Sequence, residues 1–258
     1  NADQVLKTDG SGTLSFVDPS SGVSSDSDDN TLGGTDALEN VSSGSGLRNT
    51  AFGKNALNDV TTGDNHIGIG AYAGEKLTTS TMNTYIGTYS GRYNETGNQN
   101  VAIGYESQRG VSSNNHYYNV SMGYQSLYAV TTGDANTAIG YQALSSMTTP
   151  NDNTAIGANS FQYLTTGNLN VGVGHDSGYW ATTGYYNTAI GADSMYNNRE
   201  GLENVFLGYY AGRGAYNTTH SYNTGVGSRS LTAVGNSGNY NTALGYKSGV
   251  AITSGSYN

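Results

Sequence analysis

Apolar and polar positions recur along this chain in one fixed block, and the block names the architecture. Aligned on a single glycine, thirteen copies follow one another: Gly34, Gly53, Gly70, Gly87, Gly104, Gly123, Gly140, Gly157, Gly174, Gly191, Gly208, Gly227 and Gly245. Eight of the twelve intervals equal that from Gly53 to Gly70; one is a single residue longer, and three are longer by a pair. So short a period, held from residue 30 onward, predicts a solenoid in which one supersecondary unit stacks on itself.

Each column carries its own requirement. Three before the glycine stands Thr, Val or Ile in every copy, from Thr31 and Thr50 to Thr242. Such β-branched residues suit a strand and disfavour a helix. The residue just before the glycine is apolar in twelve copies, among them Phe52, Ile103, Met122, Ile139 and Leu244. Two apart in a strand, these columns share a face. They are expected to form an apolar wall turned to the core. The column between them is mostly small (Ala51, Gly68, Ala102, Ala138), and predicts a smooth second face for close contact between chains.

Four before the glycine stands Asn in twelve copies, with His66 as the departure. Amides stacked at strand spacing hydrogen-bond along the stack. The invariant glycine implies a backbone conformation closed to other residues, or a tight corner. Three after it the residue is Ala or Ser, and one further on it is apolar in seven copies and Gly in five. A turn follows, often Thr-Thr-Gly, as at Thr131, Thr132 and Gly133. Strand, corner, second short strand and turn fill one coil. The fold class is therefore all-β: a parallel β-solenoid of about thirteen mostly 17-residue coils, about 60 Å long at a spacing of about 4.8 Å.

The N-T-A-I-G-x-x-A/S unit resembles the head repeats of trimeric autotransporter adhesins. It is still more similar to repeats in tail-fibre and related structural proteins of bacteriophages, cyanophages among them. The similarity covers residues 30–258. It implies a left-handed β-roll with three chains packed side by side, placed in a virion tail fibre or on a cell surface. Partners implied are two further copies, other fibre or virion proteins, and a host surface glycan or envelope receptor.

Outside the repeat, residues 4–17 read as two short strands around Asp9-Gly10-Ser11-Gly12, a hairpin similar to connector segments of phage fibres. Residues 18–29 read as a linker. Its Asp26, Asp28 and Asp29 lack the Gly and distal Glu of a calcium loop and read as solvated. The chain thus divides into 1–29, hairpin and acidic linker, and 30–258, repeat domain. Asn1 reads as a fragment or processed end. Asn258 falls one whole repeat after Asn241, so the solenoid is expected to continue.

Composition changes the picture in two places. Large aliphatics are so few that content alone signals disorder, but they fall in register, and so thin a core favours oligomerisation. The net charge of −9 argues against nucleic acid, since phosphate binding needs clustered Lys and Arg and the ten here are scattered along the sequence. No apolar run of about 18 residues encodes a membrane span. With no cysteine, no disulfide staples the fold.

A larger duplication overlies the repeat: residues 51–127 match 155–231 at an offset of 104. Two matched longer intervals carry the same insertion, R-G-x5-H-x-Y. Longer turns bulge outward and often carry solenoid binding sites. Candidate receptor contacts are therefore Arg109, His116, Tyr117 and Tyr118, with Arg213, Tyr216, His220 and Tyr222. The plain alternative is passive retention from one duplicated block. Tyrosines such as Tyr93, Tyr128, Tyr179 and Tyr240, with Trp180, exceed what this core holds; they offer rigid contact area for sugars, or pack along neighbouring coils and between chains.

Chemistry-bearing patterns are absent from the sequence. The histidines, including His66 and His175, lack metal-ligand spacing. No nucleophile elbow, zinc-protease motif or phosphate loop occurs. Glu106, Asp176 and Asp193 share one column with Arg229 and Lys247, a solvated face. Asn94 and Asn217 match the glycosylation pattern only weakly. The expectation is a non-enzymatic structural and adhesive fibre segment without metal or cofactor. A polysaccharide-degrading tailspike, which needs paired carboxylates, is one alternative; a cell-surface adhesin or self-assembling extracellular filament is another. An ice-binding solenoid is set aside because Val101, Val120, Val171 and Val205 interrupt the Thr column, which is taken to face the core.

Overall fold

The computed structural model describes residues 5–8, 14–17 and 24–258, apart from 43, 112–113, 236–237, 251 and 253–254. Strands β1 (Val5–Thr8) and β2 (Leu14–Val17) pair antiparallel, as the hairpin reading expects; its turn lies outside the described residues. Part of the expected linker is structured: β3 (Ser24–Ser25) pairs antiparallel with the first repeat strand, β4 (Thr31–Gly33). It covers that edge of the solenoid sheet, where free backbone groups would otherwise recruit another strand.

From Thr31–Gly33 to Thr242–Leu244, thirteen three-residue strands stack in parallel and in sequence order, and no helix occurs among the described residues. The register is strict, with Thr137 beside Thr154, Ala138 beside Ala155 and Ile139 beside Ile156. The chain is an all-β parallel solenoid, one sequence repeat to each turn.

The faces of the strand are the reverse of the expectation. The middle column is inside: Ala51, Ala102, Ala138 and Ala189 are fully buried, while Thr137, Ile139 and their equivalents face outward. The reason is the width of the lumen. The opposite wall supplies large side chains four after the glycine, such as Leu57, Leu127, Leu144 and Phe161, all fully buried. A Cβ on Gly68 would lie 2.6 Å from Leu57 Cγ, and one on Gly172 would lie 2.6 Å from the Phe161 ring. Where the strand residue is large, the wall gives way: Tyr85 faces Gly91 and Phe206 faces Gly212, and a Cβ on either glycine would overlap the ring. Volume is conserved across the lumen, as close packing demands. A further inward column, seven after the glycine, holds Val60, Leu77, Val130, Met147 and Leu164.

The Asn column is a buried hydrogen-bonded ladder. Asn153 donates both its backbone N–H (3.0 Å) and its Nδ2 (3.2 Å) to Asn136 Oδ1. The same Nδ2 reaches Gly167 O at 2.9 Å, the glycine of the next Thr-Thr-Gly turn. Asn119, Asn170, Asn187, Asn204, Asn223 and Asn241 make the matching bond to the turn carbonyl of the coil ahead. Gly167 itself admits no side chain, because a Cβ there would clash with Gly184 O. His66 imitates the amide: Nδ1 accepts from Asn83 N–H at 3.2 Å while Nε2–H donates to Ser80 O at 2.9 Å.

The aligning glycine has φ near +137° at Gly140, and a Cβ there would lie 2.5 Å from Gly157 O. Both facts exclude a side chain. Corners are also made by non-glycine residues in the left-handed region, for example Ala135, Gln142 and Leu144. This conformation costs an L residue about 1 kcal/mol, and bonds between coils hold it, such as Leu144 N–H to Ser160 O at 3.1 Å.

Asn136→Ala is expected to remove an acceptor of two bonds and a donor to Pro150 O (2.9 Å), leaving buried groups unpaired. The expected loss is on the order of 3 kcal/mol, read as a drop in the denaturant midpoint; a loss below about 1 kcal/mol would mean the ladder is dispensable. Gly140→Ala is expected to destabilise at least as much, whereas Gln142→Gly, at a left-handed corner, is expected to be near neutral.

Candidate functional site

Two surfaces carry chemistry: the outward strand face and the corners beyond the aligning glycine. On the strand face two columns run the length of the stack. Ile67, Ile69, Val120, Met122, Ile156, Val171 and Ile190 each remain more than a third exposed. Between them stand half-buried Thr50, Thr84, Thr137, Thr154 and Thr188. The face is flat, β-branched and without charge, because every coil repeats T-A-I or a close variant.

At the corners, in-register stacking turns single tyrosines into ladders. Tyr105, Tyr124 and Tyr141 stack with centroids 5.5 and 5.3 Å apart and ring planes nearly parallel. Tyr222, Tyr240 and Tyr257 do the same at 4.6 and 4.8 Å. Tyr163 stacks on Trp180 at 4.6 Å and Tyr179 on Tyr196 at 5.1 Å, with the two pairs edge to face. The spacings approach the coil rise because like residues occupy like positions. Burial and neighbouring tyrosines push the Tyr179 hydroxyl up to about 12. The tyrosines thus pack along neighbouring coils and still present ring edges and faces to solvent.

The residues proposed from the paired insertions separate into three groups. His116 and His220 are fully buried; they are core residues, and the outward loop predicted for them is corrected. Each replaces the turn glycine of its coil, and its backbone carbonyl keeps that column's bond, from Asn100 Nδ2 (2.7 Å) and Asn204 Nδ2 (2.9 Å). Both insertions close alike, with bridges between Asn94 and Asn114 and between Asn198 and Thr218, the same offset as the duplication.

Tyr118 and Tyr222 form a second group: exposed, but in the regular left-handed column five before the glycine, with φ of 60° and 61°. Tyr117 is half-buried, its N–H bonded to Asp134 Oδ1 at 2.7 Å. Tyr216 is the most exposed, at 75 %. The arginines form the third group. Arg109 is engaged, its Nη1 donating to Tyr128 Oη at 2.7 Å and its guanidinium 3.5 Å from Glu106. Both arginines lie over two tyrosine rings, Arg109 over Tyr93 and Tyr128 at 5.2 and 5.4 Å and Arg213 over Tyr196 and Tyr210 at 5.4 and 4.8 Å. The stacking columns escaped the sequence reading because neighbours in them are a whole repeat apart; writing the sequence in rows of one repeat exposes them.

Among the described residues no group of three or more His, Cys, Asp or Glu side chains converges as a metal site, and no helix is long and apolar enough to cross a membrane.

Burial holds His66 near 4, His116 near 3 and His220 near 4. Among the described residues, His116 Nε2 and both ring nitrogens of His220 have no hydrogen-bond partner. A folded-state value below the unfolded one, about 6.5, means stability is complete above pH 6.5 and falls as pH drops toward 4. Thermal melts are expected to move down between pH 6.5 and 5. Replacing His66→Asn, which completes the amide ladder, and His220→Leu, which removes an unpartnered ring, is expected to flatten that slope and leave the pH 7 melt equal or higher. An unchanged slope would place the acid sensitivity in the carboxylates. No protein-family model, curated protein or solved structure matches the chain.

Proposed function

We propose that this chain is a non-enzymatic structural and adhesive segment of an extended fibre, its copies packed side by side through the strand face and its tyrosine-rich corners turned to surface carbohydrate. The observation that carries the reading is the uncharged outward strand face, from Phe52 to Leu244, with Ile, Val, Met and Thr partly or largely exposed from coil to coil. An apolar strip about 60 Å long and about 12 Å wide offers roughly 700 Å² per copy, near the ~800 Å² per partner of a stable interface. Isolated soluble chains rarely leave so continuous a patch open. A second and third copy are the natural occupants, since three identical faces can converge in register on an axis parallel to the stack. The sequence resemblance to phage fibres and adhesin heads points the same way, toward a homotrimer on a virion or cell surface. The tyrosine ladders suit glycan rings, which stack on aromatic faces.

A second reading gains from one observation. The Thr column points outward, opposite to the placement on which an ice-binding role was set aside. Five apolar interruptions remain in it: Ile67, Val101, Val120, Val171 and Val205. Thermal hysteresis at micromolar concentration would support ice binding; its absence leaves the fibre reading alone.

Sedimentation or light scattering of the wild-type chain is expected to give three times the chain mass. Ile156→Lys with Ile190→Lys, both on the exposed face, is expected to give a folded monomer with an unchanged circular dichroism spectrum. A wild-type monomer at tens of micromolar would overturn the packing, and reducing-sugar release from a host glycan would overturn the non-enzymatic reading.

A further inference from the structure

Among the described residues, four of this acidic chain's ten Lys and Arg side chains lie within 4.0 Å of a carboxylate. Lys76 lies 2.9 Å from Asp59, Arg92 2.6 Å from Glu75, Arg109 3.5 Å from Glu106 and Arg48 4.0 Å from Asp64. Lys54 and Arg199 are not among these four, and neither are Arg213, Arg229 and Lys247. Among the described residues, no carboxylate forms an ion pair with any of them.

Arg213, Arg229 and Lys247 sit together. With Tyr210, Thr232 and Val250 they line one depression of about 310 Å³. The six residues are the second and fifth after the glycine in three successive coils: Tyr210 and Arg213, Arg229 and Thr232, Lys247 and Val250. Stacking therefore places Arg229 and Lys247 on neighbouring rungs of one column, the rungs about 5 Å apart, with Arg213 one rung earlier in the other column; cations so gathered repel unless an anion lies between them.

The duplication supplies an internal comparison. In the first block the same positions hold Glu106 and Arg109, then Gln125 and Tyr128, then Gln142 in the following coil. There the arginine has its carboxylate, and Gln125 Nε2 donates to Glu106 Oε2 at 2.8 Å. In the second block Tyr210 stands in the place of Glu106 and Arg229 in that of Gln125, and in the coil that follows Lys247 stands in the place of Gln142. The scaffold is retained while the chemistry of one corner is inverted.

We propose that this depression binds an acidic carbohydrate, a saccharide bearing carboxylate or sulfate groups. The Arg213 guanidinium lies over the rings of both Tyr196 and Tyr210, and its buried Nε has no hydrogen-bond partner among the described residues. A guanidinium fixed in this way presents a rigid fork to an oxyanion. Arg229 and Lys247 are exposed on the rim, Lys247 over the Tyr246 ring at 5.2 Å. The Tyr210 ring offers a face to a sugar beside the anion, and the volume lies at the small end of ligand sites. Burial and Asp176 hold the Asp193 carboxyl above its ordinary value, and nearby Arg213 pulls the other way. With a net charge of −9, the chain repels dense polyanions, which favours a sparsely charged saccharide over nucleic acid.

The inference deepens the carbohydrate-contact part of the proposed function and does not require self-association. Calorimetric titration of the whole chain tests it, using tetragalacturonate for carboxylate, a heparin tetrasaccharide for sulfate, maltotetraose as the neutral sugar and a short single-stranded DNA as a plain polyanion. At least one acidic saccharide is expected to bind, and maltotetraose is not. Arg229→Gln with Lys247→Gln installs the residues of the first block, which that block already accommodates, and is expected to weaken binding at least tenfold. Arg229→Lys is expected to retain part of the affinity. Unaltered melting curves would show that the variants fold. Equal binding of the neutral sugar, tighter binding of DNA at about 150 mM salt, or an unchanged double variant would overturn the proposal. A monomer that binds would preserve this site and remove the fibre reading, and a trimer that does not bind would do the reverse.

Discussion

The column of buried amides is the interaction on which the rest depends. A solenoid coil has one short strand and corners in a costly left-handed conformation, so little within a single coil holds its shape. Each asparagine links three things at once: the backbone of its own coil, the amide below and the turn carbonyl of the coil above. Buried donors and acceptors are thereby paired, and any lateral slip would unpair several together. The ladder sets the register of the strands, and the strands set every surface column.

From that register follows a core whose volume is conserved coil by coil. The lumen is one side chain wide, so a large residue on one wall demands alanine or glycine on the other, in either direction. One coil departs from this and is polar inside. Ser107, Gln108, Asn114, His116, Ser121 and Ser126 are all buried, with Gln108 Nε2 bonded to Val101 O at 2.9 Å and Ser121 Oγ at 3.0 Å. This layer separates two apolar clusters, one ending at Ala102 and one beginning at Leu127. In the second block Phe206 and Gly212 replace Ala102 and Gln108, and the apolar cluster runs through. His220 packs edge-on to Phe206 there, with centroids 5.6 Å apart.

Register also converts isolated residues into arrays. A tyrosine that recurs every coil becomes a stack, and an uncharged strand position becomes a strip. A cation that recurs without its carboxylate becomes a concentrated charge on an otherwise acidic molecule. Function on such a scaffold belongs to columns more than to single side chains, which is why the two surfaces argued above run along the stack.

The repeat determined the solenoid by itself. Thirteen glycines at near-constant spacing, a β-branched column and an asparagine column leave one architecture that satisfies all three, and the chain adopts it. The sequence also determined the amide ladder, because a polar residue fixed at one phase of an apolar repeat must pair along the stack. What it did not decide is which side of a three-residue strand faces inward. Thr-Ala-Ile alternates equally well either way, and hydrophobicity alone favours the wrong face. The choice rests on the opposite wall, where Leu144 and Phe161 fill the lumen and leave room only for Ala or Gly; that wall lies outside the reach of a local alternation. The histidines turned inward for the same kind of reason. R-G-x5-H-x-Y reads as an outward bulge until the turn column is seen to need its carbonyl inside, which carries the ring in with it. Tertiary structure also decided the charge pattern, since cations scattered along the sequence meet only when successive coils are stacked.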